Sequence, residues 1–95
     1  MMRFMKAVLV HQFKQVYGKG RIEGAIWRVP EPVPPTRHGY RYRLVYVRDG
    51  VRRVGYDNER GKGDHRHVGD REMPYRFVDV PTLRRDFMND VRNAP

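Results

Sequence analysis

Cysteine is absent from all 95 residues of the chain. Disulfide bonds, thiolate metal sites and a cysteine nucleophile are therefore excluded, and the absence favours a reducing cytoplasm over a secreted scaffold. Long hydrophobic runs are also missing, since no segment approaches the roughly 20 apolar residues of a membrane helix. The apolar residues before His11 are not followed by the small-residue cleavage site of a signal peptide. We therefore expect a cytoplasmic protein without a membrane anchor.

Negative charge is scarce: 11 acidic residues stand against 20 lysines and arginines, which gives a formal net charge of +9. Such an excess on a small body attracts polyanions, either a nucleic acid or an acidic protein. Aromatic residues make up 12% of the chain, which argues against simple disorder. The length suits one compact domain over residues 1–95. We predict a folded basic domain with a polyanionic partner.

The first part of the chain predicts a hairpin and a connector. Residues 6–17 are rich in β-branched and aromatic side chains, and residues 21–29 follow after two glycines that suit a turn. The prolines of residues 30–35 cannot donate backbone hydrogen bonds and favour polyproline II. This segment is therefore predicted to be a stiff surface connector beside a packed Trp27.

A second hairpin is predicted by alternation along residues 40–47, with the tyrosines on one face and the arginines on the other. Asp49 and Gly50 predict a two-residue turn, and residues 51–56 form the returning strand. Counting outward from the turn pairs Val45 with Val54 and Arg43 with Tyr56, and gives one face to Val45, Val47, Val54 and Tyr56.

The remaining residues predict a loop, two strands and a helix. The loop is residues 58–63, and the strands are residues 64–68 and 73–80. Thr82 is the predicted N-cap of a helix that ends near Asn93, with Leu83, Phe87 and Val91 as its apolar stripe. The predicted fold class is α+β: a small antiparallel β-sheet built from hairpins and covered by a C-terminal α-helix.

Reactive side chains are concentrated in one run, which contains Asp57, Glu59, Arg60, Lys62, Asp64, His65, Arg66 and His67. On a strand, His65 and His67 project from the same face, and paired imidazoles suit proton transfer near neutral pH. RNA cleavage without a metal needs a base, an acid and cations at the phosphorane oxygens. The histidines would supply the first two roles and Lys62 or Arg60 the third. Asp57 or Asp64 would orient an imidazole.

Other interpretations of these histidines stay open. His-x-His on a strand is also a metal-ligand spacing, and the third ligand would then be Asp57, His38 or His11. The run is equally typical of a solvated turn with ordinary surface histidines.

The tyrosines of the second hairpin also have two interpretations. Tyr40, Tyr42 and Tyr46 beside Arg41 and Arg43 suit the stacking of single-stranded bases. Such aromatic residues are more often the core of a small sheet.

Several segments of the sequence resemble those of one known toxin family. They are residues 27–34 (WRVPEPVP), His38, residues 40–44 (YRYRL), residues 56–67 (YDNERGKGDHRH), residues 75–77 (YRF), residues 86–87 (DF) and residues 90–91 (DV). In this order they resemble the TumE toxins, from about residue 27 to residue 91. The resemblance implies a type II toxin-antitoxin system whose antitoxin carries a helix-turn-helix domain. It also implies an RNA-cleaving or otherwise translation-blocking activity.

The resemblance gives most weight to Lys62, Asp64, His65 and His67, followed by Asp57 and Arg60. Our predicted catalytic residues are Asp57, Lys62, Asp64, His65 and His67, and our predicted RNA contacts are Arg41, Arg43, Tyr56, Arg60 and Arg66.

The leading functional hypothesis is a metal-independent endoribonuclease toxin that uses no cofactor. Its predicted partners are RNA and a helix-turn-helix antitoxin, and a homodimer stays open. The first alternative is a non-catalytic module that binds nucleic acid or the antitoxin through a basic sheet face. The second alternative is a metal-dependent nuclease.

Overall fold

The computed structural model describes residues 7–94. Six strands form one antiparallel sheet in which each strand pairs with the next along the chain. The elements are β1 (Val8–Tyr17), β2 (Gly20–Arg28), β3 (Tyr40–Arg48), β4 (Val51–Glu59), β5 (Gly63–Val68), β6 (Arg71–Pro74) and α1 (Val80–Asn93). The helix packs against β4, so the predicted α+β class is confirmed. The predicted strand start at Lys6 lies outside the described residues.

The hydrophobic core lies between α1 and one face of the sheet, which we call the helix face. The alternation predicted for β3 is confirmed, because Tyr42, Leu44 and Tyr46 are each at most 5% exposed. The predicted stripe of α1 is also buried. The core consists of Ile22, Ile26, Tyr42, Leu44, Tyr46, Val54, Tyr56, Leu83, Phe87 and Val91. Within residues 7–94, no helix is long and apolar enough to cross a membrane.

The turn between β3 and β4 has the predicted form. Asp49 (φ 55°) and Gly50 (φ 70°) both adopt left-handed backbone conformations, as a type I′ turn requires. Arg48 pairs with Val51, as predicted.

The pairing farther from that turn differs from the prediction. Val47 pairs with Arg52 and Tyr46 with Val54, so a β-bulge leaves Arg53 as the extra residue. The bulge moves every later residue of β4 by one position. Leu44 therefore pairs with Tyr56, and the predicted pairs and the predicted shared valine face are wrong.

The loop predicted for residues 58–63 is shorter than expected. β4 continues to Glu59, and β5 begins at Gly63. Asn58 is 1% exposed and binds the β3 backbone, accepting from Tyr42 N (2.9 Å) and donating to Tyr40 O (2.6 Å). The strand extends this far because Asn58 and Glu59 pair with Asp64 and Gly63 of β5. The Asn58 side chain bonds to the β3 backbone beyond the last β3–β4 pair, which explains why a buried polar residue is tolerated there.

Two further predictions near the C-terminus are wrong. The last strand is β6, Arg71–Pro74, rather than residues 73–80, and a turn after β5 leads into it. The N-cap of α1 is Asp79, whose carboxylate accepts a hydrogen bond from Thr82 N at 2.8 Å. Pro81 lies in the first helical turn, where its missing N–H is not needed. Thr82 therefore lies inside the helix.

Candidate functional site

The face of the sheet opposite α1, which we call the open face, brings the predicted histidines beside acidic and basic residues. Within residues 7–94, no helix or strand packs over it. Arg43 pairs with Asp57, and Asp57 pairs with His65, so these three residues form a row across β3, β4 and β5. In the next row, His67 pairs with Glu72 of β6.

His65 is fixed through both ring nitrogens. It is 6% exposed, and its Nδ1 lies 3.0 Å from Gly63 O. A carbonyl oxygen only accepts, so Nδ1 carries the proton of this hydrogen bond. The other nitrogen, Nε2, lies 2.6 Å from Asp57 Oδ1, a buried atom with no hydrogen-bond partner apart from this ion pair. The imidazole is therefore held between a backbone carbonyl and a carboxylate, an arrangement that orients the ring for proton transfer.

His67 lies beside His65, with ring centroids 5.1 Å apart and planes at 79°. Burial and the positive charge of Arg52 lower the pKa of His67, and Glu72 opposes this shift. The side chain of Arg52 lies over Gly55, the residue that pairs with His67 across the β4–β5 pair. A Cβ atom added at Gly55 would lie only 3.0 Å from the Arg52 side chain. His67 is therefore favoured as a neutral imidazole, which is the form that accepts a proton.

Three nitrogens converge on a single oxygen atom, Glu72 Oε2. Lys62 Nζ lies 3.1 Å away, His67 Nε2 3.3 Å away and His65 Nε2 3.5 Å away. The hydrogen bond to Glu72 raises the pKa of Lys62, and the same bond lowers the pKa of Glu72. Glu72 was missed from the sequence because the predicted last strand begins at Met73, one residue after it, whereas β6 begins at Arg71.

A cavity of about 540 Å³ adjoins this cluster on the open face. Its lining includes Asp57 and three predicted RNA-binding residues, Arg41, Arg43 and Arg60. Trp27 also lines the cavity and is 36% exposed, so the prediction that it is packed is wrong. The cavity thus combines cations with an accessible aromatic ring, the two components of a surface that binds single-stranded RNA.

Asp64 lies on the helix face, away from the paired imidazoles. Its carboxylate accepts from Tyr42 Oη (2.6 Å) and Thr36 Oγ1 (3.0 Å), and it contacts His38 Nε2 at 2.8 Å. Burial and the hydrogen bond to Asp64 raise the pKa of Tyr42 well above its ordinary range. The ring of His38 also stacks on that of Phe77, with the ring centroids 3.9 Å apart. Through its contacts with Thr36 and His38, Asp64 therefore connects β5 to the segment between β2 and β3.

Tyr56 and Arg66, two predicted RNA contacts, also lie on the helix face. Tyr56 is 1% exposed and its hydroxyl donates to Asp90 of α1, and burial together with this bond raises the pKa of the tyrosine. Arg66 NH1 lies 3.3 Å from the same carboxylate. These two residues join β4 and β5 to the helix rather than lining the cavity.

The predicted third metal ligands are separated from the histidine pair or contact only one member of it. His38 contacts Asp64 on the helix face, and His11 lies on β1. Asp57 is in an ion pair with His65. Among the described residues, the side chain that completes a potential metal-binding group with both histidines is Glu72.

The comparisons with known proteins agree with the resemblance noted in the sequence. A family model described as Toxin TumE matches residues 6–94. No curated protein and no solved structure gives a significant match. Because this family model matches most of the chain, the chain belongs to the TumE toxin family.

Proposed function

We propose that this protein is an endoribonuclease that cleaves RNA by attack of the 2′-hydroxyl, without a metal ion. Membership of the TumE family supports a toxin component of a toxin-antitoxin system, with an antitoxin as its partner. We further propose that this antitoxin carries a helix-turn-helix domain. The observation that supports RNA cleavage best is the convergence of His65, His67 and Lys62 on one carboxylate oxygen.

In the proposed reaction, a phosphate oxygen of RNA takes the position that Glu72 Oε2 occupies. His67, as the neutral imidazole, removes the 2′-hydroxyl proton, and the 2′-oxygen forms a bond to phosphorus. The bond from phosphorus to the 5′-oxygen breaks, and protonated His65 donates its Nε2 proton, which faces Asp57 in the free protein, to that leaving oxygen. Lys62 stabilises the negative oxygens of the phosphorane. The products are a 2′,3′-cyclic phosphate and a 5′-hydroxyl end.

The other cavity residues support this chemistry by orientation and binding. Asp57 fixes the His65 ring and stabilises its protonated form, since the two side chains form a 2.6 Å ion pair. Arg43 adjoins Asp57 in the same row, so it is placed to bind a phosphate next to the reacting one. Trp27, at the far side of the cavity, offers a ring on which a base can stack.

The test uses a DNA oligonucleotide with one internal ribose, incubated with the full chain in EDTA. We expect one cut, at the ribose, with a 2′,3′-cyclic phosphate end. An all-deoxy oligonucleotide should remain intact because it lacks the nucleophile. His65→Ala and His67→Ala should each reduce the rate by about 10²- to 10⁴-fold.

The matched control for these variants is His11→Ala, which removes a histidine of β1. It should cleave like the unaltered protein. Loss of cleavage in EDTA would contradict the metal-independent mechanism and favour a metal-dependent nuclease. Cutting of the all-deoxy substrate would contradict attack by the 2′-hydroxyl.

A non-catalytic binding module is the second candidate function. The exposed Arg41 and Arg43 of the cavity and the net charge of +9 favour it. In that case the oligonucleotide would bind without being cut, and His65→Ala and His67→Ala would leave its affinity nearly unchanged. Cleavage that depends on the two histidines separates the candidates.

A further inference from the structure

We propose that His65, His67 and Glu72 form a binding site for a divalent transition-metal ion of the Zn²⁺ class. Each side chain offers one ligand atom, and these three atoms all lie within 4.8 Å of one another. The site uses residues of the proposed ribonuclease centre but does not depend on that activity.

The spacing of the three side chains suits tetrahedral coordination. Metal-ligand bonds of about 2.0 to 2.2 Å at tetrahedral angles put neighbouring ligand atoms about 3.3 to 3.5 Å apart. Glu72 Oε2 lies 3.3 Å from His67 Nε2 and 3.5 Å from His65 Nε2. Coordination therefore requires small movements of the side chains, in which His65 Nε2 exchanges its 2.6 Å contact with Asp57 Oδ1 for the metal ion.

The ligand positions are set by backbone pairing. His65 and His67 project from β5, and Glu72 faces His67 across the β5–β6 pair. The hydrogen bond from His65 Nδ1 to Gly63 O fixes the ring, so that Nε2 faces both Asp57 Oδ1 at 2.6 Å and Glu72 Oε2 at 3.5 Å. Metal-binding histidines usually make such a bond with the ring nitrogen that does not coordinate, and this bond fixes the tautomer.

The chemistry of the ligands selects the ion. Two imidazoles and one carboxylate suit Zn²⁺ and its neighbours in the transition series, whereas Mg²⁺ and Ca²⁺ prefer oxygen ligands throughout. Three protein ligands leave a coordination position for water.

Lys62 distinguishes this site from an ordinary histidine cluster. Its ammonium group lies 3.1 Å from Glu72 Oε2, so it competes with a metal for that oxygen. Lys62 is exposed, with 51% of its side chain accessible, so its removal should not disturb the fold. Removing the ammonium should therefore strengthen metal binding, an effect that unfolding cannot imitate.

The experiment is calorimetric titration of the untagged full chain with Zn²⁺, with no RNA present. We expect one ion per chain. His67→Ala and Glu72→Gln should each weaken binding by at least about tenfold, as loss of a ligand does. Lys62→Ala should strengthen it by up to about fivefold, the value of an exposed ion pair.

His11→Ala is the matched control, because it removes a histidine outside the cluster, and its affinity for Zn²⁺ should be unchanged. Absence of Zn²⁺ binding would overturn the proposal. An equal loss of affinity in His11→Ala and His67→Ala would also overturn it, as would weaker binding in Lys62→Ala. Since the readout is heat of metal binding, these outcomes are independent of whether the protein cleaves RNA.

Discussion

The carboxylate of Asp57 lies directly across the β4–β5 pair from His65, with its Oδ1 2.6 Å from the imidazole Nε2. This contact predicts that Asp57 acts through His65 and does not bind the substrate itself. Asp57→Asn should therefore lower kcat and leave KM nearly unchanged. The decrease should be smaller than the about 10²- to 10⁴-fold expected when an imidazole is removed.

Steady-state cleavage of the single-ribose oligonucleotide measures both constants for Asp57→Asn. The double variant Asp57→Asn with His65→Ala should be no slower than His65→Ala alone, because both changes affect one proton-transfer unit. Additive decreases in the double variant would contradict this role, as would a change confined to KM.

Asp64 is expected to contribute mainly to stability, because it lies on the helix face and accepts hydrogen bonds from Tyr42 and Thr36. Asp64→Ala leaves these buried donors without their acceptor and should reduce the free energy of unfolding by roughly 1 to 3 kcal/mol. Tyr42→Phe removes one donor and should cost about 1 kcal/mol. Urea unfolding measures both changes. Normal stability of Asp64→Ala combined with abolished cleavage would instead assign Asp64 to catalysis.

Arg41 and Arg43 are expected to bind phosphates along the cavity. The double variant Arg41→Ala with Arg43→Ala should weaken binding of single-stranded RNA. Because fewer counterions are released, the slope of log K against log salt should fall by about 0.7 for each phosphate that the variant no longer neutralises.

Fluorescence anisotropy with a labelled RNA, measured over a range of salt concentrations, gives the affinity and the slope. The matched control is Arg84→Ala with Arg85→Ala, which removes two exposed arginines from α1. Equal effects of the two double variants would mean that net charge, rather than the open face, determines binding.

The N-cap of α1 gives a prediction about pH and stability. The hydrogen bonds to Thr82 lower the pKa of Asp79 below its ordinary value of 3.8. A lowered folded-state pKa means that the stabilisation is complete above pH 3.8 and is lost as the pH falls through the folded-state pKa. Asp79→Ala should therefore lower Tm at neutral pH and make less difference at low pH.

Thermal unfolding between pH 2 and 7 tests the contribution of Asp79. The control is Asp79→Asn, because asparagine also caps helices but does not titrate in this range. Its Tm should exceed that of Asp79→Ala at neutral pH. A Tm difference between Asp79→Ala and the unaltered protein that stays constant with pH would contradict the assignment of the cap.

Alternation and turn residues were sufficient to predict most of the sheet and the buried stripe of the helix. The register of β4 beyond Arg52 was not predictable, because the sequence pattern does not determine whether Arg53 or Val54 lies opposite Tyr46. Tertiary contacts select the bulge at Arg53: Val54 becomes fully buried, and Arg53 O accepts a hydrogen bond from Gly69 N at 2.9 Å. A sequence pattern contains neither contact.

The candidate site was only partly predictable for a similar reason. The His-x-His spacing correctly placed two imidazoles on one face, but Glu72 reaches them only through the β5–β6 pairing. The available signal was Gly69-Asp70, a dipeptide typical of two-residue hairpin turns. Asp64 was adjacent to His65 in sequence, yet strand alternation directs it to the other face, towards Tyr42.

Zn²⁺ is expected to inhibit RNA cleavage. An imidazole nitrogen that coordinates a metal has no lone pair left to accept a proton, so occupation of the site removes the base, His67, and the acid, His65. Saturating Zn²⁺ should slow cleavage by at least about 10²-fold, and EDTA should restore the rate. Mg²⁺ at the same concentration is the control and should have little effect, because it prefers oxygen ligands. Faster cleavage with Zn²⁺ would contradict proton transfer by the histidine pair and would favour metal-dependent hydrolysis at the same three residues.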